Sequence, residues 1–388
     1  MLCNMANINL TSAKNAKNDE FYTQFSDIQK EIEAYLEYDT DTFRGKVVYC
    51  NCDDPFESNF FRYFVLNFKR LGLKRLVTTS YKPSPIANTQ LGLFGNDKTV
   101  ASAKGRPKIT ANKFVINEVG DINGDGSFNL QDIAEQLKTN KNNEWQPLEG
   151  DGDFRSNECI ELLKQSDIVV TNPPFSLFRE YIKQLFNHNK RFLIIGNMNS
   201  IKYKEIFPHI KENKLWIGAT NFNVGMYFHV PEGFQYASTY KFERVRDGKP
   251  VNRVPGVCWF ANLEHGRRHL PLSLMTMEDN LKFNKKIKGK TKYDNYDNYD
   301  AIDIPFADAI PSDYDGNMGV PISFLNKYSP DQFEIIWQAS GNTRASAPKD
   351  VLERLKYRKH SEDRGGCTLI KGKRTYDRIF IKHRKATA

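Results

Sequence analysis

The first half of the chain alternates short apolar runs with segments whose apolar residues recur every three or four positions. The run 45–51 (GKVVYCN) is compact and rich in β-branched residues, the segment 57–73 has helical periodicity, and 74–81 (KRLVTTSY) is again apolar. The helical face of the middle segment consists of Phe60, Phe64, Phe68 and Leu71. A strand, a helix and a strand in such close succession predict a βαβ unit and therefore a parallel sheet.

The same alternation continues after a return to strand character at 112–121. Residues 157–165 predict a helix, 166–170 a strand, 176–186 a helix and 190–197 a strand. The strands are apolar along their whole length, as expected where helices cover both faces of a sheet. The pattern predicts an α/β fold with a doubly wound, mostly parallel sheet.

The second half of the chain has a different character. The segments 214–218, 224–230 and 256–263 are aromatic and β-branched, without long helices between them. We expect them to be antiparallel strands that complete the sheet. From about residue 264 onward a lysine run, clustered tyrosines and several prolines predict a smaller second domain.

These changes of composition give a domain organisation. Residues 1–18 are polar and predict a flexible lead-in. Residues 82–112, rich in Lys, Gly, Pro, Ser and Asn, predict an insertion that loops out of the sheet. The main domain is then 19–263, and the smaller C-terminal region is 264–388.

Basic residues are concentrated in the C-terminal region. Residues 349–388 carry thirteen basic and five acidic side chains, and 282–292 contains six lysines. A basic face suits a polyanion such as nucleic acid, although one lysine run can also be a solvated loop. Tyr293, Tyr296 and Tyr299 follow the lysine run, and they could either stack on bases or pack on a sheet.

Length and composition exclude several classes of protein. The 388 residues, 39% of them hydrophobic, can bury a sizeable core. No uninterrupted run approaches the length of a membrane span, and the first residues do not resemble a signal peptide. We therefore expect a soluble, cytoplasmic protein that does not bind membranes. The six cysteines are scattered without a Cys-x-x-Cys pair, so neither a disulfide framework nor a zinc site is predicted.

Other patterns raise the question of a metal ion. Residues 121–132 (DINGDGSFNLQD) fit an EF-hand-like calcium loop, but the same residues suit a tight turn, which we favour because the last ligand is Asp and there is no second copy. Cys50 and Cys52 share a strand face, and His265 and His269 are four residues apart. Further ligands for the cysteines are not evident, and Gly266 and a following proline disfavour a helix that would carry both histidines, so no metal site is predicted.

The chemistry centres on Asn172-Pro173-Pro174-Phe175, which is separated from the predicted strand at 166–170 only by Thr171. In a doubly wound sheet ligands bind at the carboxyl ends of the strands, where Asn172 lies. The prolines remove two backbone donors and leave a rigid peptide with acceptor oxygens. The side-chain oxygen of Asn172 and the carbonyl of Pro173 can thus accept both hydrogens of one amino group, beside the flat face of Phe175.

Such an arrangement suits a planar amine whose nitrogen lone pair is delocalised into a ring. Two acceptors draw the amino hydrogens out of the plane, and electron density returns to the nitrogen. The reaction then depends on positioning and electrostatics rather than on a base with a perturbed pKa. A base inside duplex DNA must first be flipped out of the helix.

Taken together, several segments resemble the EcoRI-type adenine-specific DNA methyltransferase family. They are DEFYT (19–23), VVYCNCDDP (47–55), GDGDFRS (150–156), TNPPFSLFREY (171–181) and KYDNYDNYDAI (292–302). The resemblance extends from about residue 17 to about residue 330 and weakens in the last sixty residues. It implies a Rossmann-like methyltransferase fold with S-adenosylmethionine as cofactor, double-stranded DNA as partner and a C-terminal region that recognises DNA.

The resemblance also assigns roles to individual residues. The cofactor would be bound by Phe21, Tyr22, Thr23, Cys50, Asn51, Cys52, Asp53, Asp54, Pro55, Asp153 and Phe154. Within this set, Asp53 or Asp54 would take ammonium or hydroxyl groups, Asp153 would accept from the cofactor's adenine amino group, and Phe154 would pack on its ring. Asn172, Pro173, Pro174 and Phe175 would hold the target adenine.

Two features depart from the broader methyltransferase pattern. No glycine-rich turn follows the first strand, where glycine would permit close approach of the backbone to a ligand, although the EcoRI-type family shares this absence. The second strand ends at 78–81 (TTSY) without the acidic residue that usually binds the ribose.

The resemblance implies a monomeric enzyme that methylates the N6 amino group of adenine in a short duplex sequence, with GAATTC as a candidate. It would need no obligatory protein partner and would serve restriction-modification or act alone. Two alternatives remain open at this point: methylation of cytosine N4, RNA guanine N2 or protein glutamine, and a DNA-binding protein without catalysis.

Overall fold

The computed structural model describes residues 22–52, 58–81, 111–120, 142–230, 232–287 and 289–384. Phe21, Asp53, Asp54, Pro55, the lead-in 1–18, the segment 121–132 and nearly all of the insertion lie outside these residues, as does the side chain of Tyr22.

The chain divides into two compact units. Unit 1 comprises Met1–Met198 and Asn223–Leu263, and unit 2 comprises Asn199–Phe222 and Glu264–Ala388. Unit 2 therefore contains a segment of the middle of the chain in addition to everything after Leu263.

The helices of the described residues are α1 (Phe25–Leu36), α2 (Asn59–Leu66), α3 (Phe68–Leu71), α4 (Asn157–Gln165), α5 (Phe178–Asn187), α6 (Phe207–Lys211), α7 (Met277–Phe283), α8 (Thr343–Ser346) and α9 (Lys349–Arg354). Short 3-10 helices cover Phe175–Leu177, Met198–Lys202, Gly266–His269, Ala307–Ala309 and Ile322–Lys327. Among the described helices, none combines the length and the apolar character that crossing a membrane requires.

The strands are β1 (Tyr22–Thr23), β2 (Val47–Cys50), β3 (Arg75–Thr79), β4 (Asn112–Ile116), β5 (Glu144–Pro147), β6 (Ile168–Thr171), β7 (Arg191–Asn197), β8 (Trp216–Ile217), β9 (Met226–His229), β10 (Val245–Arg246), β11 (Lys249–Val254), β12 (Val257–Ala261), β13 (Ile302–Asp303), β14 (Met318–Pro321), β15 (Phe333–Ala339), β16 (Leu369–Ile370), β17 (Lys373–Arg374) and β18 (Arg378–His383).

The core of unit 1 is a large sheet with the strand order β5-β4-β3-β2-β6-β7-β12. Parallel pairing joins β3 to β2, β2 to β6 and β6 to β7. Strands β4 and β12 pair antiparallel with their neighbours, and β5, antiparallel to β4, again runs in the direction of β3. The fold is therefore mixed α/β with a large, mostly parallel core sheet and smaller sheets beside it.

The predicted βαβ unit is confirmed. Ser58 caps α2 by accepting hydrogen bonds from the backbone N–H groups of Phe60 and Phe61. The predicted single helix is divided at Asn67, and it ends at Gly72, which adopts a left-handed conformation with φ of 62°. The two strands then pair in parallel, with Val48 opposite Leu76.

One predicted strand belongs to a different sheet. The segment 224–230 contains β9, which pairs with β1 and β11 rather than with the core sheet, in the order β1-β9-β11-β10. Its side chains are alternately buried and half-buried, whereas those of the core strands β2 and β6 are all buried. Alternation of this kind belongs to an antiparallel sheet with one face against the core. The prediction that β12 completes the core sheet is confirmed.

Unit 2 contains a sheet with the order β13-β14-β18-β15 and the hairpin β16-β17. Tyr293, Tyr296 and Tyr299 are buried in this unit. Their hydroxyl groups donate to the carbonyl of Ala309 at 2.7 Å, to Asp303 at 2.6 Å and to the carbonyl of Gly366 at 2.5 Å, respectively. Of the two interpretations of these tyrosines, the structure supports packing within the protein, not base stacking.

Candidate active site

The carboxyl ends of β2 and β6 lie side by side in the centre of the core sheet. The two strands are parallel, with Val48 opposite Ile168 and Tyr49 opposite Val169. Cys50 ends β2, and Thr171 ends β6. The chain segments that follow, which begin with Asn51 and Asn172, therefore start from the same edge of the sheet.

Two side chains fasten Asn51 to the neighbouring segment. The hydroxyl of Thr171 donates to the backbone carbonyl of Asn51, and the hydroxyl of Tyr181 on α5 donates to its side-chain oxygen. Asn51 is only 1% exposed. The end of β2 and the segment after β6 are thus parts of one buried hydrogen-bonded arrangement.

The Asn172-Pro173-Pro174-Phe175 segment forms the transition from β6 to α5. The sheet pairing ends at Thr171 because the two prolines have no backbone N–H to donate. The carbonyl of Pro174 accepts a hydrogen bond from the backbone N–H of Leu177 at 3.0 Å, and a short 3-10 helix begins at Phe175. Pro173 is buried, Phe175 is half-buried, and the side-chain oxygen of Asn172 is buried.

Asp153 and Phe154 lie in the segment that leads into α4. Arg155 donates to both carboxylate oxygens of Asp153, at 2.9 and 2.7 Å, and these bonds lower the pKa of that carboxyl below its ordinary value. The ring of Phe154 is buried and packs edge-on against Tyr181, with the ring centroids 5.0 Å apart. Tyr181 therefore contacts both Asn51 and Phe154, which come from different parts of the sequence.

Gly152 fixes the path of this segment across the sheet edge. Its φ of 78° is left-handed, and a Cβ atom there would lie 2.0 Å from the carbonyl oxygen of Ser80, just after β3. Only glycine permits this close approach. Asp153 is thereby held beside the carboxyl end of β3.

Thr23 lies on β1, opposite Phe228 on β9. Its backbone carbonyl accepts a hydrogen bond from Nδ2 of Asn59 at 2.7 Å, which ties β1 to the first residue of α2. The hydroxyl oxygen of Thr23 is buried and has no hydrogen-bond partner among the described residues. A buried hydroxyl of this kind is available to a ligand.

The described residues contain no group of three or more His, Cys, Asp or Glu side chains placed to hold a metal ion. Cys50 is buried and Cys52, with φ of 63°, is half-buried, and neither forms a disulfide. His265 is buried against the carbonyl of Ile217, and burial lowers its pKa to about 4. His269 instead lies beside Glu264 and Asp331. The histidine pair therefore does not converge on one point.

The structure thus brings Asn51, Phe154 and the segment after β6 together, with Tyr181 in contact with the first two. Thr171 and Tyr181 were not singled out from the sequence. The available signal for Tyr181 is a hydroxyl on the buried face of α5, whose other buried members are Phe178, Ile182 and Leu185. The roles assigned to the individual site residues by resemblance stay predictions.

Comparison with known proteins connects this arrangement to one family. The family model described as adenine-specific methyltransferase EcoRI matches residues 9–384. The chain is 40% identical to the type II methyltransferase M.EcoRI of Escherichia coli over 392 aligned positions, which cover 99% of each protein. It is 38% identical to the type II methyltransferase M.MpnI of Mycoplasma pneumoniae, with 96% of this chain and 97% of that protein covered.

A third relative is the type II methyltransferase M.MgeORF184P of Mycoplasma genitalium, 35% identical with 95% of this chain and 97% of that protein covered. No solved structure matches the chain significantly. The family match and the relatives each cover nearly the whole chain. The chain therefore belongs to the EcoRI family of adenine-specific DNA methyltransferases, enzymes of type II restriction-modification.

Proposed function

We propose that this enzyme transfers a methyl group from S-adenosylmethionine to the N6 amino group of an adenine that is flipped out of a short duplex sequence, with GAATTC as the candidate target. It acts as a monomer in the cytoplasm, where the DNA is. The observation that carries the proposal is the joining of two strand ends: Thr171 and Tyr181 both bond to Asn51, so the segment that holds the base and the segment that holds the cofactor share one support.

The residues present fit S-adenosylmethionine. The hydroxyl of Thr23 is buried without a partner among the described residues, so it can bond to a polar group of the cofactor. The lowered pKa of Asp153 keeps its carboxylate charged, and each of its oxygens has a second lone pair to accept from an adenine amino group. When bound, the cofactor supplies an electrophilic methyl group.

Asn51, Cys52, Asp53, Asp54 and Pro55 follow β2 and would complete the cofactor site. Asp153 beside β3 and Asn172 after β6 lie at the carboxyl ends of the strands, where ligands bind in a doubly wound sheet. Phe21 and Tyr22 would close the site from β1.

The target amino group is activated by two acceptors. The side-chain oxygen of Asn172 and the carbonyl of Pro173 would accept its hydrogens and return electron density to N6. The N6–carbon bond would then form as the bond between the methyl carbon and the sulfonium sulfur breaks, with S-adenosylhomocysteine as the leaving group. The proton leaves after attack, so no base is required beforehand. The acceptors act strongly because Asn172 Oδ1 is buried, away from bulk water. Phe175 stacks on the flipped base.

Residues 19–263 perform this chemistry, and 264–388 recognise DNA. Basic side chains of the C-terminal region bind phosphates and supply affinity, whereas a few other side chains read base edges and supply specificity. The residues to which this proposal assigns a chemical role all belong to unit 1, although Asn199–Phe222 of the range 19–263 belongs to unit 2.

The test is expression of the chain in a bacterial host that lacks DNA methylation, followed by single-molecule sequencing of the genome. N6-methyladenine at one short motif supports the proposal, and GAATTC as that motif supports the candidate target. N4-methylcytosine, or an unmodified genome despite folded protein and measurable cofactor binding, overturns the proposed reaction and favours RNA guanine, protein glutamine or a non-catalytic DNA-binding protein. An Asn172→Ala chain expressed to the same level is the matched control.

A further inference from the structure

A segment of unit 1 outside the basic C-terminal region has an unusual surface. Residues 232–254, here called the arm, follow β9 and include β10 and β11. Tyr236 donates to the carbonyl of Val251 at 2.9 Å, and the hydroxyl of Tyr240 accepts from the backbone N–H of Arg253 at 2.8 Å. The arm is thus held in one conformation by tyrosine hydroxyls, although much of it is exposed.

Basic side chains face solvent along the arm. Its basic residues are Lys241, Arg244, Arg246, Lys249 and Arg253, and its acidic residues are Glu232, Glu243 and Asp247. Glu243 bonds to Arg246 at 2.6 Å. Lys241, Arg244 and Lys249 are exposed, and none of the three forms a salt bridge with a described carboxylate. The arm therefore presents three exposed cations that form no salt bridge with a described carboxylate.

Three arginines of the arm lie over aromatic rings, and Arg246, the one already bonded to Glu243, is 3.6 Å from the ring centroid of Tyr227. The guanidinium of Arg244 is 5.0 Å from the ring centroid of Tyr236, and that of Arg253 is 4.3 Å from that of Phe242. Phe242 itself is 47% exposed. Stacking leaves the guanidinium N–H groups of Arg244 at the edge of the ring, in an orientation that suits phosphate oxygens, whereas Arg253 already donates to the carbonyl of Val224. The arginine side chains of the arm are thus supported by aromatic rings, unlike the side chains of a solvated lysine run.

The arm is rooted beside the candidate active site. Its sheet contains β1, where Thr23 bonds to Asn59 at the start of α2. The helix α2 follows the segment after β2, so this sheet adjoins the carboxyl edge of the core sheet. Duplex DNA must lie against that same edge if one of its bases is to reach Asn172. The sheet that carries the arm is therefore rooted at the edge against which the duplex must lie.

We propose that the arm binds the phosphate backbone of duplex DNA next to the flipped base, through Lys241, Arg244 and Lys249. The contact is independent of sequence, and it adds a phosphate-binding surface in unit 1 to the one expected in the C-terminal region. The inference rests on DNA being the substrate, but not on which sequence is recognised.

The test compares two triple variants that each remove three positive charges. K241Q/R244Q/K249Q alters the arm. K69Q/K74Q/R191Q is the matched control, because these exposed residues precede β3 or begin β7 at the opposite, amino edge of the sheet, and none forms a salt bridge with a described carboxylate. Affinity for a duplex is measured at several salt concentrations, and cofactor binding is measured by calorimetry to show that each variant is folded.

In the arm variant, the slope of log affinity against log salt concentration should fall by about 0.9 for each phosphate that is no longer bound, up to about 3 in all. Duplexes with and without the target sequence should be affected equally, since phosphates carry no sequence information. The control should keep the wild-type slope. The proposal is overturned if the arm variant keeps the wild-type slope, or if the slope falls equally in the arm variant and in the control. A wild-type chain that binds no duplex DNA at all overturns the proposed function as well, and this outcome is recognisable without either variant.

Discussion

Asn172 is the residue on which the proposed chemistry depends most directly. It follows the last residue of β6, and its side-chain oxygen is buried. Asn172→Ala removes one of the two acceptors, so turnover should fall by on the order of 10²-fold or more. Binding of cofactor and duplex should change little, because the cofactor is assigned to other residues and phosphate contacts supply most of the affinity for the duplex.

The measurement is the rate of methyl transfer to a duplex oligonucleotide under single-turnover conditions. Asn172→Asp is the informative companion, since its carboxylate keeps an acceptor oxygen at the same position. It should retain more activity than Asn172→Ala. A rate within tenfold of wild type for the alanine variant would rule out activation by two acceptors.

Gly152 illustrates how a single backbone position directs a whole segment. Alanine at this position would place a Cβ atom 2.0 Å from the carbonyl oxygen of Ser80, in a left-handed conformation. Gly152→Ala should therefore lower the free energy of unfolding by more than about 1 kcal/mol, the usual cost of an unfavourable glycine replacement. Thermal unfolding measures the effect.

Gly150 supplies the control two residues away. A Cβ atom there has nothing within 4 Å, and Gly150→Ala should leave the melting temperature almost unchanged. If the two variants had the same melting temperature, Gly152 would not lie as close to Ser80 as the structure places it.

At the scale of elements, Tyr181 connects α5 to β2. Its hydroxyl donates to the buried side-chain oxygen of Asn51, and its ring packs on Phe154. Tyr181→Phe keeps the ring but removes the donor, at a cost of about 1–3 kcal/mol for a buried acceptor left unsatisfied. Because Asn51 is assigned to the cofactor site, affinity for S-adenosylmethionine should fall by more than the rate of methyl transfer at saturation.

Calorimetry measures the affinity for S-adenosylmethionine directly. Steady-state kinetics then shows whether the KM for the cofactor changes by a larger factor than kcat does. Tyr38→Phe, at an exposed tyrosine just after α1, is the control and should behave as wild type. A Tyr181→Phe enzyme with reduced stability but unchanged cofactor affinity would show that the bond is structural only.

The elements also show what the sequence can and cannot predict. Helix α4 has the predicted bounds, 157–165, and the parallel pairing of β2, β3 and β6 was correctly predicted, because periodicity and local alternation determine these features. The prediction that β9 belongs to the core sheet was wrong. Its partner β1 is only two residues long and lies far away in the sequence. Local patterns do not contain such pairing.

The candidate site was predictable to a similar extent. The Asn172-Pro173-Pro174-Phe175 segment was located at a strand end from local sequence alone. The support provided by Tyr181 joins residues 130 positions apart, and no periodicity encodes a contact of that range. Which residues hold the cofactor therefore stays a prediction from resemblance.

At the scale of the whole molecule, the net charge of +9 is less available to DNA than the sequence suggests. In the lysine run 282–292, Lys286 bonds to Asp308 at 2.8 Å and Lys290 to Asp294 at 2.7 Å. Lys282 and Lys285 are exposed and form no salt bridge with a described carboxylate. A lysine already paired with a carboxylate contributes less to phosphate binding, because that carboxylate repels the DNA.

Removing the charges of Lys282 and Lys285, which form no salt bridge with a described carboxylate, should therefore affect DNA binding more than removing those of Lys286 and Lys290, which do. K282Q/K285Q should reduce the salt dependence of duplex binding by up to about 0.9 for each phosphate released, and K286Q/K290Q should reduce it less, although both variants remove two charges. Affinity measured across a range of salt concentrations distinguishes them. Equal slopes in the two variants would mean that DNA responds to the total charge of the region, and that the local carboxylates do not determine which lysines bind phosphate.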